Sequence, residues 1–530
     1  MGNVTSYIAL LTIVISFGVY LLIARSDARK LRSAGDFFLY RRRLGPQKVF
    51  GTFYASGMSL ATVFIAFFQL APVFGLSLLW AALFYALGHV VIFYLTPRIR
   101  SLTTSGSTLH GFLKDSYGSE GLKLTASIAT TIGFIGIFAT ELIVGTRLLQ
   151  SLLPNVDSYL PSLLLIGMVL VAYSILGGFK SVVRTDLLQT SAVILFCGLM
   201  IYLAFHFGAP TSGEPLIPDN LIANWKLAPL GVVAPSVIFL MMLNFFLINV
   251  PFPLVDMSAW QRIVAAKDTK AAKSGVGLAA IMFFITWGAI LFAALALTET
   301  AGADSAGGLA TILINFGGEG WFSLILTCMG FAALVAAMLS TADSFLIAAG
   351  QTISMDITDR KFFEKHPIED SATVSQSDNL LPMDSTHRKV IGRARMQMGG
   401  IAIIGLILCI ALTHIGFDVV SFVFAIYGSA LALAPVVLCG LLLAKKLDLK
   451  RVQTFAILSV ATGIVVGWAY GITSVTAQQG SFAWSLASWW ILPDGVSVYN
   501  APTIAFGFSL VIMIIGLVFR ARRVVPTKQP

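Results

Sequence analysis

A cluster of oxygen-bearing side chains interrupts one of the most apolar stretches of the chain. Residues 331–349 are otherwise mostly Ala, Leu, Val, Ile, Met and Phe, and the exceptions are Ser340, Thr341, Asp343 and Ser344. In hydrocarbon, each polar group without a partner costs several kcal/mol, so these groups need hydrogen-bond partners, water or a bound cation. Hydroxyl and carboxylate oxygens are ligands that a hard cation such as Na⁺ favours. The pattern is therefore typical of a buried ion site.

The composition places this cluster inside a membrane. The 530-residue chain is 57% hydrophobic and only 11% charged, and it contains repeated apolar runs of about 20 residues, each long enough to cross a bilayer as a helix. We therefore predict an all-α polytopic membrane protein with 13 transmembrane helices. The predicted spans are 6–24, 49–74, 77–96, 123–152, 159–177, 186–207, 232–252, 275–297, 320–353, 398–414, 419–443, 453–472 and 501–519.

The basic residues predict the orientation of these spans. A net charge of +10 would suggest a nucleic-acid partner for a soluble chain, but here the positions of the charges decide the matter. With the N-terminus outside and the C-terminus in the cytoplasm, every Lys and Arg except Arg147 and Lys226 falls in a cytoplasmic segment or at its flanking ends. The positive-inside rule favours this topology. We predict a multi-pass protein of the plasma membrane, in a bacterial inner membrane, with no nucleic-acid partner.

The order of the spans indicates an inverted repeat. Spans two to six and seven to eleven each open with an interrupted helix and contain a long third helix. Because five is odd, the second set has the opposite orientation, as inverted-repeat transporters require. The predicted division is 1–47 for an extra N-terminal helix and linker, 48–207 for the first repeat, 208–231 for an extracellular loop, 232–443 for the second repeat with cytoplasmic loop 354–397, and 444–530 for two C-terminal helices and a short tail.

Small polar residues and prolines locate the two interruptions. The second span contains the sequence Ser-Gly-Met-Ser at 56–59, and the seventh contains Asn-Val-Pro-Phe-Pro at 249–253. Each proline removes an amide donor and forces a break upstream. Unwound carbonyls and half-helix ends can then bind ions and substrate near the midplane. The alternative at each position is a kink without a ligand.

Four motifs resemble those of the sodium:solute symporter family, and the resemblance covers nearly the whole chain. They are AGDFF with RLGP at 34–46, GGFKSVVRTDLLQ at 177–189, WQRIVAAKD at 260–268 and AAMLSTADS at 336–344. The resemblance implies the leucine-transporter-type fold, with five-plus-five inverted helices and broken first and sixth core helices. It also implies Na⁺-coupled symport of a small organic solute by alternating access. We expect no enzymatic activity, no organic cofactor and no metal beyond Na⁺.

The resemblance further implies a sodium site between the first and eighth core helices. Its ligands would be the carbonyls of Ala55, Met58 and Ala337 and the hydroxyls of Ser340 and Thr341. A helix places the Ala337 carbonyl one turn below Thr341, beside its hydroxyl. The alternative is that both hydroxyls bond back to their own helix.

The resemblance also implies a second ion position in some family members, using Asp186 and Ser344. Ser344 lies four residues after Ser340 and shares its helix face. Asp343 could complete a second cation site, carry a proton, or pair with a basic residue at the cytoplasmic edge.

The solute is expected at the midplane, between the two broken helices. Glu141 is the strongest candidate because an acid within an apolar span is a functional hypothesis by default. It could instead pair with Arg147 or lie near the outer vestibule. Some family members have Asp or Asn where this chain has Gly57, so contacts there differ. The candidates are Ser56, Gly57, Ser59, Thr62, Gln69, Glu141, Asn249, Phe252 and Tyr427.

The sequence leaves two other functions open. One is an H⁺-coupled symporter of the same fold, using Asp343, Asp186 or Glu141; the other is a solute-sensing membrane module. Small, aromatic and amide groups around the interruptions are compatible with amino acids, monocarboxylates, sugars or vitamins. We expect a functional monomer whose partners are Na⁺, the solute and the lipid bilayer.

Overall fold

In the part of the chain that it describes, the computed structural model consists of helices and their connections, with one isolated β-bridge between Leu44 and Ala266. The described residues are 2–102, 108–153, 159–208, 235–301, 305–366, 368, 383–415, 419–478 and 500–521. Numbered in chain order, the helices are α1 (Gly2–Ala28), α2 (Ala34–Leu39), α3 (Pro46–Gly57), α4 (Ala66–Phe74), α5 (Leu79–Leu102), α6 (Leu109–Tyr117), α7 (Glu120–Gln150), α8 (Tyr159–Gly177), α9 (Phe179–Gly208), α10 (Pro235–Asn249), α11 (Phe252–Val255), α12 (Met257–Ala265), α13 (Thr269–Ala301), α14 (Ser305–Gly317), α15 (Trp321–Thr352), α16 (Arg360–Lys365), α17 (Ser385–Ile415), α18 (Val419–Leu431), α19 (Ala434–Leu443), α20 (Gln453–Gln478) and α21 (Ala501–Arg520).

Among the described residues, 10 helices are long and apolar enough to cross a membrane, and the number is 12 if each of two bent pairs is one span. The exact number of 13 stays a prediction. The predicted span 419–443 is divided in the structure, because α18 ends at Leu431 and α19 begins at Ala434. Pro435 lies in the first turn of α19, where its missing N–H and fixed φ are tolerated.

The first interrupted helix breaks where small polar residues predict. α3 ends at Gly57, a π-helical turn over Leu60–Ile65 leads into α4, and the two halves are bent by 54°. Ser59 has an extended backbone, with φ −63° and ψ 137°, and its hydroxyl accepts a hydrogen bond from the Thr62 amide at 2.7 Å. Ser59 is therefore the N-cap of the second half.

The second interruption extends beyond its prolines. α10 ends at Asn249, as expected, but the bend of 44° lies between Val255 and Met257, on either side of Asp256. Asp256 has an extended backbone, and its carboxylate accepts hydrogen bonds from the Ser258 amide and hydroxyl, both at 2.7 Å. A carboxylate that caps the next helix in this way fixes the position of the bend.

The segments that flank the two interrupted helices are joined through their backbones. The Leu44 amide, just before α3, donates to the Ala265 carbonyl at 3.0 Å. The Lys267 amide, just after α12, donates to the Leu44 carbonyl at 2.9 Å. Arg100 of α5 also donates to the Ala266 carbonyl at 2.8 Å. Three separate parts of the chain are thus held at one end of the two broken helices.

Helix α5 approaches the second interruption so closely that only glycine fits at position 88. A Cβ on Gly88 would lie 2.4 Å from the Asn249 carbonyl oxygen and 3.0 Å from that of Val250. Both obstacles are backbone atoms, which cannot rotate away. We expect Gly88→Ala to destabilise the protein by about 1–3 kcal/mol, the usual cost of overpacking. Thermal unfolding of purified protein measures this loss.

A matched control for that substitution is Gly198→Ala in α9. A Cβ at Gly198 meets no atom within 4 Å, and Ala is favoured over Gly inside a helix by roughly 0.5–1 kcal/mol. We expect this control to be neutral or stabilising. Equal unfolding temperatures for the two variants would show that α5 does not pack closely against the second helix break at Gly88.

Candidate ion and solute site

Two hydroxyls of α15 meet the broken end of α3. Ser340 Oγ donates to the Ala55 carbonyl at 2.9 Å and lies 3.0 Å from the Ala337 carbonyl oxygen. Thr341 Oγ1 lies 3.3 Å from the Ser56 carbonyl oxygen and 3.2 Å from that of Ala337. Both side chains are buried. Four of the five groups predicted as sodium ligands are therefore brought together.

Met58 and Ser56 differ from the expected arrangement. Met58 is buried nearby, and its amide donates to the Ala55 carbonyl at 3.2 Å. Among the described contacts, its carbonyl does not reach either hydroxyl, and the Ser56 carbonyl takes that place beside Thr341. The hydroxyls also bond back to their own helix at Ala337, as the alternative expects. The sodium site between the two helices stays a prediction.

A buried charged cluster lies one turn further along α15, where the second ion position was expected. Asp186, Asp343 and Ser344 do come together there, but Arg262 of α12 lies among them. Its Nη2 atom donates to Ser344 Oγ at 2.5 Å and lies 3.8 Å from Asp186 Oδ2. The side chains of Arg262, Asp186 and Asp343 are all 0% exposed.

Neutral donors complete this cluster. Tyr173 donates to Asp343 Oδ2 at 2.6 Å, and the Thr52 hydroxyl donates to Asp186. Arg262 donates through Nε to the Thr52 carbonyl at 3.0 Å and through Nη1 to the Ser258 carbonyl at 2.9 Å. Five helices, α3, α8, α9, α12 and α15, therefore meet around one guanidinium group.

The sequence did not single out Arg262, although it is the arginine of the WQR motif. Its position in the sequence places it with the basic residues of the predicted cytoplasmic side, and the nearest acids along the chain are Asp256 and Asp268. The only available indication was that two acids within apolar spans, Asp186 and Asp343, need a counter-charge. That reasoning predicts a basic partner but does not identify it.

Glu141 lies behind the first interruption. The Ser59 hydroxyl donates to its carboxylate, and the Ala61 amide lies 3.4 Å from Oε2. Glu141 is 0% exposed. Arg147 is exposed and, within the described residues, forms no ion pair with Glu141, so the ion-pair alternative is wrong. Glu141 faces the N-terminal end of the second half-helix, where a negative charge is favoured.

A cavity lies between the two interrupted helices and contains several of the predicted solute contacts. Its wall includes Ser56, Gly57, Ser59, Thr62 and Phe252, which were expected, and Tyr85, His89, Asp256 and Trp287, which were not. Tyr85 and Trp287 stack with their ring centroids 4.2 Å apart. These two rings come from α5 and α13, helices in which the sequence has no feature that marks a ligand site.

A second, more apolar cavity adjoins the first. Thr62 and Trp287 line both cavities, and Asn249 lines the second together with Phe67, Phe245 and Phe424. Two further candidates are not part of these walls. Gln69 lines neither cavity, and the side chain of Tyr427 lies outside the described part of the chain.

The geometry described so far, with polar groups concentrated at two helix breaks, agrees with one family model. That model, of the sodium:solute symporter family, matches residues 37–448. The chain belongs to this family. It is therefore a multi-pass membrane transporter and not an enzyme, and Na⁺ is its coupling ion.

Two relatives of this symporter are named as proline transporters. The osmoregulated proline transporter OpuE of Bacillus subtilis (strain 168) is 27% identical over 453 residues, covering 81% of this chain and 83% of the relative. The high-affinity proline transporter PutP of the same organism is 26% identical over 485 residues, covering 88% of this chain and 92% of the relative.

A solved structure shows that the symporter shares its fold with a characterised transporter. The substrate-bound, outward-open structure of a Na⁺-coupled sialic acid symporter aligns with 98% of this chain and 99% of its own, with a TM-score of 0.70. The sequence identity is 17%, so the likeness extends to the fold alone.

Proposed function

We propose that this symporter couples the inward movement of Na⁺ to the uptake of a small zwitterionic solute, with L-proline as the first candidate, by alternating access of its two repeats. The proline transporters that resemble it do so over more than four fifths of this chain. The proposed setting is a bacterial plasma membrane, with the N-terminus outside, the C-terminus in the cytoplasm and the monomer as the working unit.

The contact of Ser340 with both helices supports this proposal most directly. Its hydroxyl lies within 3.0 Å of carbonyl oxygens on α3 and on α15. When Na⁺ binds, the hydroxyls of Ser340 and Thr341 turn their lone pairs toward the ion, and the carbonyls they satisfied become ligands as well. Na⁺ then links the broken helix to α15 with oxygen ligands alone, which suits a hard cation.

Such a link explains coupling without covalent chemistry. An ion that binds only when α3 and α15 are close favours the conformations in which they are close. The cavity wall and the ion ligands share α3 residues, since Ser56 lines the cavity and its carbonyl contacts Thr341. Solute and Na⁺ therefore stabilise the same arrangement of the break, and each raises the affinity for the other.

We infer that one Na⁺ moves in each cycle, because the Arg262 guanidinium occupies the second ion position. It already supplies a positive charge to Asp186 and a donor to Ser344. One charge crossing 100 mV provides about 2.3 kcal/mol, and a tenfold Na⁺ gradient adds about 1.4 kcal/mol. A single ion thus supports roughly 500-fold accumulation of a solute without net charge.

Uptake of radiolabelled L-proline into proteoliposomes tests the proposal. We expect an inward Na⁺ gradient to drive accumulation, and a pH gradient without Na⁺ to drive none. Accumulation driven by the pH gradient alone would instead support the H⁺-coupled alternative. Saturable binding of L-proline without flux under either gradient would support the sensing module.

A further inference from the structure

A buried acid contacts the solute cavity only through a neighbouring hydroxyl. Glu141 of α7 lines neither of the two cavities described above, whereas Ser59 lines the more polar one. The carboxylate accepts a hydrogen bond from the Ser59 hydroxyl. No Lys or Arg pairs with Glu141 in the described portions of the chain. Its principal side-chain partner there is Ser59.

The hydrogen bonds that Ser59 already makes leave its hydroxyl one way to bind a ligand. A serine hydroxyl has one donor proton and two acceptor positions. The proton is directed to Glu141, and one acceptor position takes the Thr62 amide at 2.7 Å. Only one acceptor position remains. At this point the cavity wall can therefore accept a hydrogen bond but cannot donate one.

The opposite wall gives the break little freedom to rearrange. A Cβ at Gly57 would lie 2.4 Å from Phe283 Cζ and 2.7 Å from the Tyr85 hydroxyl oxygen. The backbone of the break is thus pressed against α5 and α13 on one side and held by Glu141 of α7 on the other. This packing keeps Ser59 in a fixed position, so its hydroxyl stays a hydrogen-bond acceptor toward the cavity.

We propose that Glu141 is a positioning residue that sets solute specificity, by holding the Ser59 hydroxyl as a hydrogen-bond acceptor toward the cavity. A bound solute then presents an N–H or O–H donor at this point, and an analogue with an acceptor there is rejected. This inference rests on the proposed symport of a small zwitterionic solute. Glu141 acts through Ser59 and does not itself contact the solute.

L-Proline and two of its analogues test the inference. L-Proline carries an N–H donor in its ring, and tetrahydrofuran-2-carboxylate has an ether oxygen at the same place. N,N-Dimethyl-L-proline keeps the positive charge but has no N–H. Affinities are measured by competition against Na⁺-driven uptake of labelled L-proline, and by the shift in thermal unfolding that each probe causes in the presence of Na⁺.

In the unaltered protein we expect L-proline to bind at least tenfold more tightly than either analogue, because an acceptor left facing an acceptor loses its hydrogen bond. In Glu141→Gln, the amide can donate to Ser59 and release the hydroxyl proton toward the cavity. The preference for L-proline over tetrahydrofuran-2-carboxylate should then fall to within threefold. Structural damage alone would weaken the binding of L-proline and of tetrahydrofuran-2-carboxylate together, and would leave the ratio of their affinities unchanged.

Thr140→Val is the matched control on the same helix turn. Thr140 is equally buried, but its hydroxyl bonds back to the Gly136 carbonyl at 2.9 Å, so the control should keep the original ratio. Na⁺-driven uptake with an unchanged ratio in Glu141→Gln would overturn this inference and leave the proposed function standing. Absence of any Na⁺-driven L-proline uptake in the unaltered protein would overturn both.

Discussion

Replacing Ser340 and Thr341 together with Ala is expected to raise the Na⁺ concentration for half-maximal uptake by at least 100-fold. In the proposed sodium site, each lost hydroxyl removes a ligand to a charged ion, an interaction worth about 1.5–3 kcal/mol. The Ala55 and Ser56 carbonyls also lose their contacts across to α15. Solute uptake as a function of Na⁺ concentration, in proteoliposomes with matched protein content, measures the effect.

Thr352→Val provides the control for this double substitution. Thr352 lies on the same helix and is fully buried, and its hydroxyl bonds only along α15, to the Ala348 carbonyl at 2.9 Å. We expect its Na⁺ dependence to match that of the unaltered protein. If the double variant kept the original Na⁺ requirement while folding normally, Na⁺ would not bind between α3 and α15.

Removing the charge of Arg262 is expected to have the largest effect on folding. Arg262→Met leaves Asp186 and Asp343 buried without their cationic neighbour. Breaking a buried ion pair by deleting one partner typically costs about 3–5 kcal/mol. Thermal and denaturant unfolding of the detergent-purified protein should therefore show a large loss of stability, even if the variant still inserts into the membrane.

A second substitution separates charge from packing. Arg262→Met combined with Asp186→Asn removes one charge of each sign, so this double variant should regain a clear part of the lost stability. Arg451→Met is the surface control, since that arginine is half exposed and pairs with Asp448 at 3.1 Å; exposed pairs contribute about 0–1 kcal/mol. If Arg262→Met and Arg451→Met unfolded alike, the guanidinium would not be the counter-charge of the cluster.

Local sequence features predicted the helix breaks well, because their causes are local. Glycine, serine and proline act on the backbone of their own segment, so the end of α3 at Gly57 and the end of α10 at Asn249 could be placed from the sequence. The sequence did not predict that the second break extends to Asp256. That part of the break depends on the Asp256 carboxylate accepting a hydrogen bond from the nearby Ser258 amide, and the same carboxylate could equally have bound a distant group.

Contacts between distant helices were predictable only where a family resemblance supplied the pairing. It correctly brought Ala55 toward Ser340, which are 285 residues apart. It gave no partner for Asp343, whose contact with Tyr173 joins two helices 170 residues apart. Periodicity identifies the face of a helix that is buried, but it does not identify the helix that this face meets.

The backbone link at Leu44 limits how this end of the two broken helices can move. Through this residue, the entrance to α3 and the exit from α12 form a short two-stranded clasp. A tilt of α3 or of α12 must carry the other helix with it or break both hydrogen bonds at once. The half-helices α3 and α12 consequently have to move together, whereas this link does not include α4 or α10.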